Sequence, residues 1–546
     1  MGNLALPMDF LPLDEEDISD SWGHLYSRQL QREIAAARLI RRDARFRGAV
    51  LTYFGCGPDS FGNQFLKDEL CEPYLSIQMD EHTADAGVVT RIEAFADTAA
   101  PRQARTGTHD RAVRSSDTPI QQLGNRTVWI HRLCGGADIL AASLRAFGVN
   151  ARLLPRSRDE GLALARRVIP EDVCVPALVT GQDILDRVHA TTFAPDKEAF
   201  LCGKGEGPCR FGMYHMLQRR MLDKMGLEDV PIVTLSDRDI WAEGGLGFPF
   251  VIASTDGGIA HDMLEKMLLR TRPRERHAGD ADRVFHEYLQ RVCDHIEGSL
   301  SHFLSSSRGI GGFLVGHHLK GLEPLLAEAA SAFAAVTAKD QDERPVIGIV
   351  GEYYVRHHDG TNRGLVRQVE ALGGEVWLAP VTEYLSYLMH LNIWLEREHW
   401  KEKRTLGKLK RLAIREVVGL LQTRDERRLF HAARACVTAC DEISGGELLR
   451  RGSRYLHPSF AGEAICSLGK SDDFAARGLG GIISATPFNC MPGTIVDSLS
   501  RDVRTRWGNI PFLHLAYDGF IDDPREAKLR AFVAQVRDRH AGNGQT

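Results

Sequence analysis

Short apolar runs that end in glycine, cysteine or proline recur along this chain, and helix-length amphipathic stretches separate them. Ala49–Phe54 (AVLTYF) ends at Gly55-Cys56-Gly57-Pro58. Thr127–Ile130 (TVWI) runs toward Cys134-Gly135-Gly136, then a helical stretch to Phe147, then Asn150–Leu154 (NARLL). Glu198–Cys202 (EAFLC) leads through a glycine-rich loop to Cys209, a helix from about Gly212 to Met225, and Asp229–Leu235 (DVPIVTL). Val346–Gly351 (VIGIVG) and Glu375–Ala379 (EVWLA) bracket another helix, and Gly481–Ala485 (GIISA) and Pro511–Ala516 (PFLHLA) bracket one more. Runs this short and this apolar read as strands buried on both faces, and such strands belong to parallel sheets with helical crossovers. The pattern predicts an α/β fold: two or more Rossmann-like parallel-sheet domains with a helical bridging region and cysteines at strand C-terminal ends.

The expected organisation is an N-terminal cysteine-bearing α/β region over 1–257, open to division into 1–125 and 126–257. A helical bridging region follows over 258–340, then a C-terminal α/β domain over 341–546 with a helical insertion at 383–443. The segment 97–119 has no apolar period and reads as a surface excursion, and 401–411 as a basic, solvated helix face. Lys+Arg 68 against Asp+Glu 73 leaves a formal charge of −5, which does not suit a chain built to neutralise nucleic-acid phosphates. No uncharged apolar run reaches the ~18 residues of a membrane span. The acidic, proline-broken N-terminus is no secretory signal, so a cytoplasmic location is expected, with no membrane and no nucleic acid among the partners.

In a reducing compartment the 11 cysteines are thiols or metal ligands, and their odd number does not suit a closed disulfide framework. Cys56, Cys134, Cys209 and Cys490 follow strand-like runs, and Cys174 sits in a loop (EDVCVP) before a helix. Most have glycine or proline beside them, which lets backbone approach a bulky ligand and shapes a loop without needing every N–H. Open α/β sheets bind ligands at the carboxyl ends of their strands. Structural zinc uses cysteine pairs two to four residues apart, and none of these thiols is so paired; the nearest are Cys202 and Cys209. Thiols spread from 56 to 490 serve one metal centre only if the fold gathers them. Buried-core packing is the competing reading for each. It is the reading taken for Cys71, Cys293, Cys466 and the i,i+4 pair Cys436 and Cys440.

The blocks Thr52–Phe61 (TYFGCGPDSF), Gln78–Phe95 (QMDEHTADAGVVTRIEAF), Gly207–Tyr214 (GPCRFGMY), Gly348–Val355 (GIVGEYYV), His457–Lys470 (HPSFAGEAICSLGK) and Thr486–Val496 (TPFNCMPGTIV) occur in this order. As a set they resemble the CoA enzyme activase / 2-hydroxyacyl-CoA dehydratase-related family of anaerobic iron–sulfur proteins. The resemblance implies a [4Fe-4S] cluster, or a larger iron–sulfur cluster, held by Cys56, Cys209 and Cys490, with Cys174 as a further ligand and Cys134 and Cys202 in second rank. It implies an actin-like, ATP-hydrolysing activator as partner, which supplies low-potential electrons for a reduction or a radical dehydration of an acyl-CoA-type substrate. A homo- or heterodimer is expected. No phosphate loop of the activator type stands at the N-terminus; Asp359-Gly360-Thr361 reads as a turn, and Gly203–Gly207 (GKGEG) lacks the Lys-Ser/Thr end of a P-loop.

Arg210, next to Cys209, is a candidate to offset cluster charge or hold an anionic group. Asp80-Glu81-His82, with Asp85, Arg91 and Glu93, forms a charged set beside the first cysteine loop; His82 is the candidate for acid–base work, against an ion network that ties down the loop. Glu352 and Glu463 are the candidate catalytic carboxyls of the C-terminal domain, and Asp518 a turn former. The expected activity is therefore lyase or ATP-coupled reductase chemistry, with a non-catalytic cluster carrier or scaffold, and a cluster-free or zinc-bearing α/β protein, as the alternatives.

Overall fold

The structure is a computed structural model and describes residues 4–22, 25–53, 56–79, 84–98, 118–132, 135–155, 162–169, 173–205, 207–235, 245–306, 309–338, 343–437, 441–518 and 525–543. Among the described residues ten strands form three wholly parallel sheets. β1 (Ala49–Tyr53) pairs with β2 (Leu75–Met79). β3 (Thr127–Ile130), β4 (Ala151–Leu153), β5 (Glu198–Leu201) and β6 (Ile232–Val233) are ordered β4-β3-β5-β6. β7 (Val346–Gly351), β8 (Glu375–Leu378), β9 (Gly481–Pro487) and β10 (Phe512–Tyr517) are ordered β10-β9-β7-β8.

The two four-stranded sheets therefore share one winding. In each, the first two strands pair, and the chain then crosses to the other side of the first strand. That reversal opens a crevice at the carboxyl ends of β3 and β5 in one sheet and of β7 and β9 in the other. The sequence pattern follows from position: β9, an inner strand, is buried at every residue, whereas the edge strand β10 is half-buried at most positions.

Every strand-like run named above forms a strand, although Asp229–Leu235 contracts to two paired residues. β2 (LSIQM) lies where the sequence reading placed no strand. The expected α/β class with parallel sheets holds. Residues on both sides of position 257 belong to one central helix, Gly247–Thr271. It packs on the Ala137–Ala146, Asp280–His295, Leu322–Val336 and Leu406–Val437 helices and on β8. One apolar cluster joins Ile139, Ala260, Phe333, Leu429 and Ile482, so the helical layer shares a core with elements before and after it. The described part of 383–437 forms two packed helices, Thr382–Glu402 and the long helix Leu406–Val437. Asp262 of the central helix accepts hydrogen bonds from the Val381 and Thr382 amides and so caps the first of them. Asp359-Gly360-Thr361 lies in a single helical turn, followed by left-handed Arg363 and Gly364. Among the described residues no helix is long and apolar enough to cross a membrane.

Candidate functional site

Cys56, Cys174, Cys209 and Cys490 all stand immediately before helical segments with extended backbone: Gly57–Leu70, Val175–Val188, the 3-10 turn Arg210–Met213 that runs into Tyr214–Lys224, and Met491–Arg506. Three of those segments carry proline in the first turn (Pro58, Pro176 and Pro492), a position where the missing N–H leaves no bond unmade. Each thiol thus stands at a helix start, where the first-turn amides favour negative charge. Cys56 follows β1, Cys209 follows β5 and Cys490 follows β9, all at carboxyl ends.

Interactions among these groups bring them into one neighbourhood. Cys56 and Cys490 share a hydrogen bond, which is the largest influence on both: it lowers the Cys56 thiol to about 6 and raises that of Cys490. The Met491 and Gly57 amides and the Arg210 guanidinium also favour charge on Cys56, so Cys56 is the thiolate and Cys490 the donor. Burial pushes the Cys174 thiol up; Arg210 opposes it, and Tyr214 Oη lies 2.7 Å from the sulfur. Burial, then the charges of Glu463 and Cys56, push Cys209 up. Arg210 is almost fully buried, and its guanidinium lies 5.7 Å from the Phe61 ring centre.

Among the described residues no three of these sulfurs come within 4.8 Å of one another. A single tetrahedral zinc would need sulfurs about 3.8 Å apart, given bonds of about 2.3 Å. The four thiols therefore do not form a preassembled mononuclear site.

Glu352 and Glu463 face the same neighbourhood from the C-terminal sheet. Glu352 directly follows β7, and its two carboxylate oxygens accept from the Tyr354 and Val355 amides at 3.1 and 2.9 Å, so it caps the Tyr353–His357 helix. Glu463 begins the Gly462–Ala476 helix, and its buried Oε2 has no hydrogen-bond partner. Burial raises both carboxyls, and their mutual repulsion raises Glu463 further, so Glu463 is the one that holds a proton. With Cys490 they line a cavity of about 10 Å³, room for one water. Two glycines permit this assembly. Gly351 has φ 120°, and a Cβ there would stand 2.1 Å from the Ala485 carbonyl of the neighbouring strand. Gly462 has φ 70°, and its Cβ would stand 2.9 Å from Pro208, so the GPCRFG loop rests directly on the start of the Glu463 helix. Tyr26 Oη fixes the other side of that loop by donating to the Gly207 and Cys209 carbonyls at 3.1 and 3.3 Å.

The remaining candidates separate. His82, Asp80, Glu81 and Cys134 lie outside the described residues, as does Cys440. Asp85, Arg91 and Glu93 lie exposed on the Asp85–Thr98 helix. Cys202 is packed among Phe200, Met213 and Leu217, and burial alone pushes its thiol far up, so it is a core residue. Cys293 and Cys466 are buried, and Asp518 pairs with Arg525 at 3.4 Å. Three residues at the site went unnoticed in the sequence. Tyr214 bonds Cys174; Tyr384 is raised by burial and then by Glu463 and Cys209; Arg356, fully buried over the Tyr353 ring, opposes the upward shifts of Glu352 and Glu463. Tyr214 closes the GPCRFGMY block and Arg356 follows GEYYV, so a wider reading of those two blocks would have found them; Tyr384 carries no such signal. Compared with known families and with curated proteins, the chain matches no family model and no curated protein.

Proposed function

We propose that Cys56, Cys174, Cys209 and Cys490 hold a four-iron iron–sulfur cluster, and that the protein takes low-potential electrons from an ATP-hydrolysing activator for a reductive or dehydrative step on an acyl-CoA-type substrate. The observation that carries this reading is the electrostatic convergence of four thiols, 434 residues apart at the extremes (490 less 56), at helix N-termini beside a buried arginine. When bound, such a cluster supplies a low-potential electron. The chain's own residues do the rest. To hold such a cluster Cys174, Cys209 and Cys490 would each give up a proton, and the Cys56–Cys490 hydrogen bond would be lost. Arg210 and the helix amides offset the negative charge that four thiolates bring. Glu463 keeps a proton within the same neighbourhood.

The test is anaerobic purification with iron and sulfide analysis. About four irons and four sulfides per chain are expected, with loss in Cys56→Ser, Cys209→Ser and Cys490→Ser. A metal-free chain, or iron indifferent to all these substitutions, would overturn the reading. The small cavity beside Cys490 favours a second reading, a cluster carrier without substrate chemistry of its own. Turnover of an acyl-CoA thioester with activator and ATP separates the two.

A further inference from the structure

Away from the cysteines, three buried side chains from three elements meet inside the helical layer. Asp256 lies in the central helix, His318 in the His317–Lys320 turn, and Asp425 in the long helix Leu406–Val437. Their ligand-type atoms all lie within 4.8 Å of one another. His318 Nε2 stands 3.1 Å from Asp256 Oδ2 and 3.1 Å from Asp425 Oδ2. One ring N–H serves one acceptor well, and the hydrogen bond goes to Asp425; Asp256 Oδ2 is buried with no hydrogen-bond partner. The side chains are 4, 0 and 2% exposed for Asp256, His318 and Asp425, and the Phe313 ring centre lies 4.9 Å from the imidazole, so water does not compensate the charge. Arg424 binds the other oxygen of Asp425 at 2.6 Å but lies at the solvent edge.

We propose that Asp256, His318 and Asp425 form a zinc site that pins the central helix to the long helix. Nitrogen and oxygen ligands at about 2.0–2.1 Å from a tetrahedral ion are about 3.3 Å apart, close to the spacing found here. Arg424 meets Asp425 from its other oxygen, and a divalent ion held by a neutral imidazole would balance the charge of Asp256, which has no such partner cation among the described residues. The imidazole nitrogen and the lone oxygen of Asp256 then both point at one cation, and a fourth position is left for the second Asp256 oxygen or a water. The oxygen-rich donor set sets this site apart from the thiols, so it stands or falls separately from the iron–sulfur reading.

The test uses the full chain, dialysed against zinc and gel-filtered. X-ray absorption at the zinc edge is expected to show a first shell of nitrogen and oxygen without sulfur. Asp256→Asn and His318→Gln should each weaken zinc binding more than about 100-fold, since loss of outer-shell partners alone reaches 10–100-fold. Zinc should also raise the melting temperature of the wild type and leave the folded Asp256→Asn protein unmoved. No retained zinc, zinc bound only through sulfur, or undiminished binding by Asp256→Asn would overturn the proposal. In that case a proton on His318, which the two aspartates favour against burial, holds the carboxylates together.

Discussion

Single side chains at the site do two kinds of work, and mutation separates them. Tyr214 offers its hydroxyl to Cys174 inside an apolar cluster. Tyr214→Phe keeps the ring and removes that bond, and should cost about 1 kcal/mol in urea denaturation of the metal-free chain. Glu265 shows burial outweighing nearby charges at a carboxyl. It is raised to about 7 by burial, with Asp262 and Asp359 adding to the shift and His261 and Arg356 opposing it. An acid whose folded value lies above its unfolded 4.5 binds more protons in the native state between the two. The contribution of Glu265 to stability should therefore fall as pH rises from about 4.5 to about 7 and level off above that. Glu265→Gln should remove on the order of 2–3 kcal/mol of that decline, read as denaturation midpoints at pH 5 and pH 8. A midpoint difference between variant and wild type that is the same at both pH values would contradict this.

Elements matter through where they end. Cys56, Cys209 and Cys490 are each placed by a strand that stops and a helical segment that starts, so the strand–loop–helix unit, not the loop alone, sets their position, whereas Cys174 stands before the Val175–Val188 helix with no strand leading into it. The Pro208–Gly462 contact joins the loop after β5 to the start of the Gly462–Ala476 helix, which packs on β7 and β9. Gly462→Ala places a Cβ against Pro208 in a left-handed backbone position, and should destabilise by about 1–3 kcal/mol. Because the Cys209 loop rests on that residue, the same variant should retain less iron than wild type after anaerobic reconstitution. Iron content equal to wild type in the folded variant would show that the loop is held without this contact.

At the scale of the molecule, a buried ion network ties the helical layer to the C-terminal sheet. Glu442 bonds Lys266 of the central helix and Lys470 of the Gly462–Ala476 helix, and Trp377 Nε1 of β8 donates to it at 2.9 Å. Burial pushes the Glu442 carboxyl up, but the two lysines overcome this and hold it at about 2. Glu442→Gln leaves two buried ammonium groups short of an anion and should cost about 3–5 kcal/mol at pH 7. A depressed folded value gives stability that is full above the unfolded 4.5 and lost toward 2, so variant and wild type should converge as pH falls through that window. Circular-dichroism denaturation at pH 7 and pH 3 reads both.

The parallel α/β architecture was legible in the sequence because inner strands such as VIGIVG and GIISA must be apolar on both faces, and loops such as TPFNCMPG after GIISA mark carboxyl ends. β2 was not, because Leu75–Met79 alternates weakly and gains its pairing only from β1. The residue kinds at the site were readable for the same local reason. Their meeting was not: whether Cys490 bonds Cys56, whether Cys202 faces the core, and whether Asp256 finds His318 and Asp425 depend on how separate sheets and helices pack. Local sequence sets the period of burial and the chemistry of each loop. Contacts across hundreds of residues, and the charges they shift, exist only once the layers close on one another.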